Sequence, residues 1–188
     1  MDNYTLAKVL NGNLITKPFF KGVFSIDEIP WEDQENISSK SFYIFNLDKS
    51  TEPGSHWVCV LLTPHFTNNF YFDSYGTKPP SSLEDFMKKS YSFCKKQLQH
   101  KFSTSCGQWC LYFIYHQCLG WPLKHFYKKF NHKDKLKNDY LVTHIVRKIF
   151  QVNPEPLSKV FLSKQLCRAH QGAQSMQKNL RNISFAKE

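Results

Sequence analysis

The strongest constraint on the fold is a set of three short runs, rich in aromatic and β-branched residues, that follow one another closely. They cover Ser41–Leu47, Trp57–Thr63 and Asn69–Asp73, and turn-forming residues separate each run from the next. This composition and spacing are typical of adjacent β-strands. The second run, WVCVLLT, is apolar on both faces, so the predicted sheet needs a covering layer on each side.

Helical patterns dominate the sequence after residue 80. A pair resembling a capping box predicts a helix over Ser82–Lys95. A second helix is predicted over Cys106–Leu119, where apolar residues recur at steps of three and four and a Gly-Trp-Pro sequence follows. Two further helices are predicted over Lys137–Phe150 and Leu157–Leu166.

The length and composition indicate one packed domain. The chain has 188 residues, 41% of them apolar, and contains no linker long enough to divide it. Its first residues lack the basic segment and apolar run of a signal peptide, and no run approaches the ~18 apolar residues of a membrane helix. We therefore expect a soluble, intracellular monomer that is not secreted and has no membrane partner. The motifs lie in about residues 18–150, and a helical extension is predicted over about 151–188.

The net charge of +10 is unevenly distributed. Residues 1–83 carry six Lys/Arg and nine Asp/Glu, a balance of −3, whereas residues 84–188 carry nineteen and six, a balance of +13. A basic surface attracts polyanions and binds nucleic acid in a salt-dependent way. Nonspecific DNA binding by the second half is one interpretation, and a solvated basic surface that aids solubility is the other.

His56 and Asp73 stand at corresponding ends of the second and third runs. If these strands pair antiparallel across Pro64–Asn68, with Trp57 opposite Phe72, the two residues lie opposite each other at the open end of a hairpin. A carboxylate in that position orients an imidazole and leaves its other nitrogen free to act as a base. An exposed polar pair at a strand end is the alternative interpretation.

Cys106 is the candidate nucleophile. Small and polar residues lead into it, and the predicted helix begins there. Unpaired N–H groups at a helix N-terminus favour an anion, so a thiolate is stabilised in this position. The remaining cysteines are interpreted as buried thiols (Cys59, Cys110, Cys118) or are left unassigned (Cys94, Cys167).

Gln99 is the candidate oxyanion donor. It lies seven residues before Cys106, in the segment that leads to the start of the helix. Its amide, together with the Cys106 backbone N–H, can donate to the oxygen that becomes negative when a thiolate attacks a carbonyl. One such donor contributes roughly 3–4 kcal/mol in the transition state. Gln97 is a competing candidate.

No cofactor or metal ion is predicted. The cysteines and His116 of the helix beginning at Cys106 are close in sequence, but residues of one helix cannot surround a metal ion tetrahedrally. The chain has no C-x-x-C pair and no glycine-rich phosphate loop of the common types.

The order of these motifs resembles the adenovirus-type cysteine proteases, especially the versions carried by Polinton/Maverick elements and virophages. The resemblance rests on His56-Trp57, Phe72-Asp73-Ser-Tyr-Gly76, Gln99 and Cys106-Gly-x-Trp-Cys110, with weaker likeness at Phe20–Pro30 and Asn138-Asp-Tyr-x-Val142. It covers about residues 18–150, and the ordered set is specific although each motif singly is weak. Asp73 stands where the adenoviral enzymes have glutamate, and relatives that process ubiquitin-like proteins use aspartate.

The resemblance implies an α+β fold with a papain-like site in the permuted chain order His56, Asp73, Gln99, Cys106, and with the cysteine helix packed on a mixed sheet. It implies an endopeptidase that cleaves viral capsid or core precursors after small residues, in Gly-Gly or Gly-x contexts, in the virion and the host cell. The adenoviral enzymes are stimulated by DNA and by a disulfide-linked peptide. Cys94 is the nearest candidate for the linking cysteine, but its spacing to Gln99 does not fit.

Three alternative functions remain open at this stage. A protease of ubiquitin-like modifiers would use the same four residues, and an acetyltransferase would use the same Cys–His pair with acetyl-CoA. A basic DNA-packaging or core protein would carry its thiols without using them.

Overall fold

The structure is a computed structural model that describes residues 1–151. Within them the helices are α1 (Asn3–Gly12), α2 (Ser81–Phe86), α3 (Cys106–Cys118), α4 (Leu123–Lys128) and α5 (Lys135–Phe150). The strands are β1 (Phe20–Ser25), β2 (Ser41–Asn46), β3 (Trp57–Leu62), β4 (Asn69–Phe72) and β5 (Tyr91–Phe93). No helix in this part of the chain is both long and apolar enough to cross a membrane.

The five strands form one mixed sheet whose spatial order follows the chain, β1-β2-β3-β4-β5. The outer pairs β1–β2 and β4–β5 are parallel, and the two inner pairs are antiparallel. Strands β2, β3 and β4 are buried along their whole length. This confirms the prediction that the apolar run of β3 lies in a sheet covered on both faces.

The side chains of β3 alternate between two separate apolar clusters. Cys59 and Leu61 point into a cluster that includes residues of α1, α3, α4 and α5, whereas Val58 and Val60 point into one that includes residues of α2. Successive side chains of a β-strand point to opposite faces of the sheet, so each face of β3 is buried against a different layer of helices. The sheet therefore lies between a large helical layer and a small one, in an α+β arrangement.

Helix α3 is the central element of the larger layer, since all but a few of its residues are buried. The Phe113 ring stacks on Phe72 of β4, with centroids 4.4 Å apart and planes 7° apart. Phe72 immediately precedes Asp73, and Phe113 lies two turns along the helix that Cys106 begins. This aromatic contact therefore joins the two elements that carry the candidate nucleophile and carboxylate.

The predicted strands and the predicted helices at Cys106 and Lys137 are confirmed, but the helix predicted over Ser82–Lys95 is wrong after Phe86. Positive φ angles at Lys88 and Lys89 turn the chain, and Tyr91–Phe93 then pairs with β4 as a parallel edge strand. Pairing with β4 stabilises the segment as an edge strand, and local helix propensity does not include this interaction with a distant part of the chain. The predicted helix Leu157–Leu166 lies outside the described residues.

The register between β3 and β4 differs from the predicted one by two residues. Phe72 pairs with Cys59 rather than with Trp57. The cause is the connection, where Pro64–Phe66 forms a 3₁₀ turn that contains positive φ angles and moves the centre of the hairpin one position along the chain. Because the shift is an even number of residues, every side chain stays on its predicted face.

Gly76 lets the turn after β4 approach the segment that carries Gln99. Its φ is +76°, and a Cβ atom there would lie 2.7 Å from the Lys96 carbonyl carbon and 2.9 Å from the Gln97 nitrogen. The backbone N–H groups of Leu98 and Gln99 donate to the Ser74 carbonyl oxygen at 2.8 and 3.0 Å. The absence of a side chain at residue 76 thus brings two parts of the candidate site together.

We predict that Gly76→Ala destabilises the protein more than Gly120→Ala does. Gly120 has a similar φ of +73° but nothing within 4 Å of a Cβ atom, so its substitution costs only the roughly 1–2 kcal/mol of a left-handed alanine. At residue 76 a backbone clash adds ~1–3 kcal/mol. Urea unfolding of both variants measures the difference, and equal free energies of unfolding would contradict the close approach.

Candidate active site

His56, which is partly buried, and Asp73, which is fully buried, form a hydrogen-bonded pair at the open end of the β3–β4 hairpin. His56 Nε2 and Asp73 Oδ1 are 2.7 Å apart, and the two side chains are 12% and 0% exposed. The two-residue difference in register makes the pair diagonal rather than directly opposite, which suits the longer imidazole arm. The predicted contact is therefore confirmed, although the predicted pairing behind it is not.

The Asp73 carboxylate is also held by the turn that follows it. The Tyr75 backbone N–H donates to Oδ1 at 2.8 Å, and the Thr77 hydroxyl donates to Oδ2. Burial alone would raise the pKa of Asp73, but the hydrogen bond and charge of His56, with the donors of Thr77 and Tyr75, lower it below its usual value. The group is thus a fixed carboxylate that accepts from three sides.

The His56 imidazole lies between this carboxylate and the candidate nucleophile. Because Nε2 faces Asp73, the ring's other nitrogen, Nδ1, is left free of that contact, and the Cys106 side chain is close enough to contribute to the pKa of the ring. Burial would lower the pKa of His56, but hydrogen bonds and charge from Asp73 and Cys106 outweigh it and raise the pKa to about 9. The Tyr75 ring covers the imidazole, with centroids 4.6 Å apart. At neutral pH the ring is therefore an imidazolium beside a sulfur.

Cys106 is the first residue of α3, as the sequence predicts, and is 7% exposed. Ser105 is the N-cap residue, and its carbonyl oxygen accepts the Trp109 backbone N–H at 3.0 Å. Sulfur at the tip of a helix lies near unpaired N–H groups and the positive end of the helix dipole. The candidate nucleophile therefore lies at the N-terminal end of a buried helix, where backbone N–H groups point towards it.

Gln99 also lies at the site, but its amide is engaged there. Its Oε1 accepts from the Ser74 hydroxyl at 2.6 Å, and its Nε2 donates to the Ser103 carbonyl oxygen at 2.9 Å, with Tyr75 Oη a further 3.3 Å contact. The side chain is fully buried. An oxyanion would therefore have to replace one of these acceptors, which is a smaller change than moving the residue. Gln97 instead donates to the Gln99 carbonyl oxygen at 2.9 Å and supports its backbone.

Cys59 and Cys110 are buried in the core, as interpreted from the sequence, whereas Cys118, interpreted in the same way, is only half-buried. Burial raises the pKa of Cys59 and Cys110 well above the usual thiol value, and it raises that of Cys118 to about 12. Cys94, the nearest candidate for a peptide-linking cysteine, is 2% exposed and donates to the Lys96 carbonyl oxygen at 3.3 Å. Cys167 lies outside the described residues.

Sequence reasoning assigned no role to Asn138 and Asp139 of α5, and the structure places both against the site. Asn138 Nδ2 donates to the Leu98 carbonyl oxygen at 3.2 Å. Asp139 accepts from the Ser105 hydroxyl and from the backbone N–H of His100, at 2.8 and 2.9 Å. The only signal in the sequence was the Asn-Asp-Tyr-x-Val similarity, which carries no information on what the residues touch.

We predict that His56 titrates near pH 9 and that Asp73→Asn lowers its pKa, because the variant removes the carboxylate charge. Ring titration by NMR measures both values. His116 is an internal reference, since burial together with the charges of Lys129 and His125 lowers its pKa to about 4. A His56 value near 6.5 in both proteins would contradict the pairing.

The same pair gives a pH dependence of stability whose direction follows from the two shifts. The folded pKa of His56 is raised from 6.5 to about 9, so its contribution is complete below pH 6.5 and is lost as pH rises through 9. The folded pKa of Asp73 is lowered, so its contribution is present above its unfolded pKa of about 3.9 and is lost as pH falls below that value. The stability difference between wild type and Asp73→Asn, measured by urea unfolding, should be largest between about pH 4 and 6.5. A difference that grows above pH 9 would contradict this assignment.

Comparisons with known proteins find similarity to proteases. No protein-family model matches the chain. The chain is 30% identical over 91 residues to "Putative thiol protease R355" of Acanthamoeba polyphaga mimivirus, a match that spans 42% of this chain and 30% of that protein. The chain therefore spans less than a third of the curated relative it matches.

Among solved structures, the ASFV pS273R protease is 16% identical to this chain and superposes with a TM-score of 0.53. The superposition covers 81% of this chain and 68% of the ASFV protein. The SUMO protease Ulp1 is 14% identical, covers 78% and 76%, and has a TM-score of 0.45. The predicted α+β class, with the candidate cysteine at the start of a buried helix on a mixed sheet, is confirmed. The chain has the fold of the ASFV pS273R protease.

Proposed function

We propose that this chain is a cysteine endopeptidase in which Cys106 attacks the peptide carbonyl. The observation that carries the proposal is the position of the His56 imidazole, which hydrogen-bonds a buried carboxylate through Nε2 and is close enough to the Cys106 side chain for that side chain to help raise its pKa. This is the arrangement that activates a thiol for acyl transfer. The similarity to a mimivirus protein named as a thiol protease supports the same conclusion.

In the proposed reaction His56 and Cys106 act as an imidazolium–thiolate pair. The sulfur forms a bond to the carbonyl carbon, and the carbonyl oxygen becomes an oxyanion. His56 then gives its proton to the leaving amine as the C–N bond breaks. Water, deprotonated by His56, releases the acyl group from the sulfur and restores the pair. Asp73 keeps the ring oriented and compensates its positive charge throughout.

We assign the oxyanion to two donors, the Cys106 backbone N–H and the Gln99 side-chain amide. The amide already lies against the Tyr75 hydroxyl and the Ser103 carbonyl oxygen. An oxyanion is a stronger acceptor than a carbonyl, so it can compete for one amide hydrogen as charge develops. The resting contacts then serve to hold the amide in place before the substrate arrives.

For the biological substrate we propose viral or mobile-element capsid and core precursors, cut after small residues in Gly-Gly or Gly-x contexts. The resemblance to the adenovirus-type proteases of Polinton/Maverick elements and virophages supports this choice, as does the mimivirus relative.

The +13 balance of residues 84–188 supports nonspecific DNA association during this processing. The site of action would be the virion and the host cell. Proteolysis of ubiquitin-like modifiers is the competing substrate class, because it would use the same four residues.

We predict that Cys106→Ala abolishes cleavage of structural proteins encoded by the same genome, because no other described thiol lies beside the imidazole. Mass spectrometry of the products, with a modifier–fluorophore conjugate as the competing substrate, identifies the preferred class. Cys118→Ala is the matched control, since it removes a half-buried thiol from the same helix and should leave cleavage unchanged. Equal cleavage by wild type and Cys106→Ala would overturn the proposal.

Alkylation by iodoacetamide at pH 6 provides a second test that needs no substrate. One thiol, Cys106, should react rapidly in the wild type, and His56→Ala should abolish the rapid phase because it removes the imidazolium. Uniformly slow labelling of all cysteines would instead support a DNA-packaging protein with incidental thiols.

We predict that Gln99→Ala lowers kcat by roughly 10²–10³-fold, the usual effect of losing one oxyanion donor. Gln97→Ala is the control, because that amide only donates to the Gln99 carbonyl oxygen and its loss should have a much smaller effect. Steady-state kinetics on a cleaved peptide measure both, with circular dichroism to establish that the variants are folded. A larger loss in Gln97→Ala would move the oxyanion role to residue 97.

A further inference from the structure

Asp139 is a buried carboxylate that the proposed reaction does not use. It lies on α5, is 3% exposed, and accepts three hydrogen bonds from neutral donors. Its Oδ1 accepts from the Ser105 hydroxyl at 2.8 Å and from the Trp109 indole N–H at 2.9 Å, and its Oδ2 accepts from the His100 backbone N–H at 2.9 Å. Burying a carboxylate against neutral donors costs free energy. The position of Asp139 therefore calls for an explanation.

Two of the three donors come from the two ends of the segment that runs from the candidate oxyanion donor to the candidate nucleophile. His100 follows Gln99, and Ser105 precedes Cys106. One oxygen of the carboxylate binds each end, so a single carboxylate links the His100 backbone N–H to the Ser105 side chain and holds the two ends close together. Trp109, one turn into α3, extends the same connection to the helix itself.

The neighbouring residue strengthens this connection. Asn138 Nδ2 donates to the Leu98 carbonyl oxygen at 3.2 Å and to the Asn131 carbonyl oxygen at 2.7 Å. Consecutive residues of α5 therefore bind residues on both sides of Gln99. Neither Asn138 nor Asp139 is exposed, so both act on the site through the groups that they hold.

We propose that Asp139 is a positioning residue that sets the spacing between the Gln99 amide and the Cys106 backbone N–H, so that both donors point at one oxyanion. This role rests on the proposed function. Oxyanion stabilisation depends on donors that are placed before the reaction, and small displacements of such groups cause large losses of rate. A carboxylate suits the task because it accepts from both ends at once, whereas an amide of the same shape has only one acceptor oxygen.

Asp139→Asn tests the proposal with little change of volume. In this variant an NH₂ group replaces one of the two carboxylate oxygens. That group faces either the His100 backbone N–H or the Trp109 indole N–H, and two donors cannot bond to each other. At least one of the three hydrogen bonds is therefore lost. We expect kcat for a cleaved peptide to fall by roughly 10- to 100-fold with KM unchanged. Alkylation of Cys106 by iodoacetamide should not be slower than in the wild type, because this displacement at carbon forms no oxyanion.

The split between hydrolysis and alkylation distinguishes positioning from a merely structural role. A structural role would lower both rates in proportion to the unfolded fraction, which circular dichroism measures, and that result would overturn the proposal. Wild-type kcat in Asp139→Asn would overturn it as well. Tyr140→Ala is the control on the adjacent, 68% exposed residue of the same helix and should change neither rate.

A milder variant covers the case in which Asp139→Asn fails to fold. Ser105→Ala removes one of the three donors and leaves the carboxylate in place, and it should also reduce hydrolysis more than alkylation. Equal reduction of the two rates in Ser105→Ala would overturn the proposal. Absence of hydrolysis by the wild type would overturn the proposed function itself, and that outcome is visible before any Asp139 variant is compared.

Discussion

The candidate site depends on the packing of helix α3 against the sheet. The site draws on a hairpin formed early in the chain and on a helix that begins more than thirty residues later, so no local interaction can bring them together. The Phe72–Phe113 stack, within a cluster of buried apolar side chains, fixes the helix over β4. Because Asp73 follows directly from Phe72 and Cys106 lies at the tip of the same helix, apolar burial determines where the polar groups meet.

The elements that the sequence predicts correctly are those whose apolar pattern is strong and local. The strands β2, β3 and β4 and the helix beginning at Cys106 have such patterns, and all four form where predicted. Strand β1, edge strand β5 and the helices α1 and α4 were not predicted, because short segments of this kind form by pairing or packing with distant elements. The error over Ser82–Lys95 has the same origin, since a parallel partner in β4 outweighs local helix propensity there.

For the candidate site, the sequence predicts which segments come together better than it predicts their contacts. The His56–Asp73 contact is predicted correctly even though the predicted register is wrong by two residues. Residues two apart in a strand lie on the same face, so both side chains stay on the same side of the sheet. Gln99 lies where expected, yet its resting hydrogen bonds to Ser103 and Ser74 depend on a loop whose course no pattern predicts. Asp139 was missed because its partners are about thirty to forty residues away in the chain, and only the packing of α5 brings them together.

The two buried aspartates at the candidate site have different roles, because their surroundings differ. Asp73 faces an imidazole, and the cation and donors around it lower its pKa despite burial, so its charge is what matters to His56. Asp139 faces neutral donors, and burial raises its pKa above the usual value even though those hydrogen bonds oppose the shift. A carboxylate held in this way gains little from its charge, and its contribution lies in the fixed positions of two acceptor oxygens. The site therefore uses one aspartate to compensate a charge and another to set a distance.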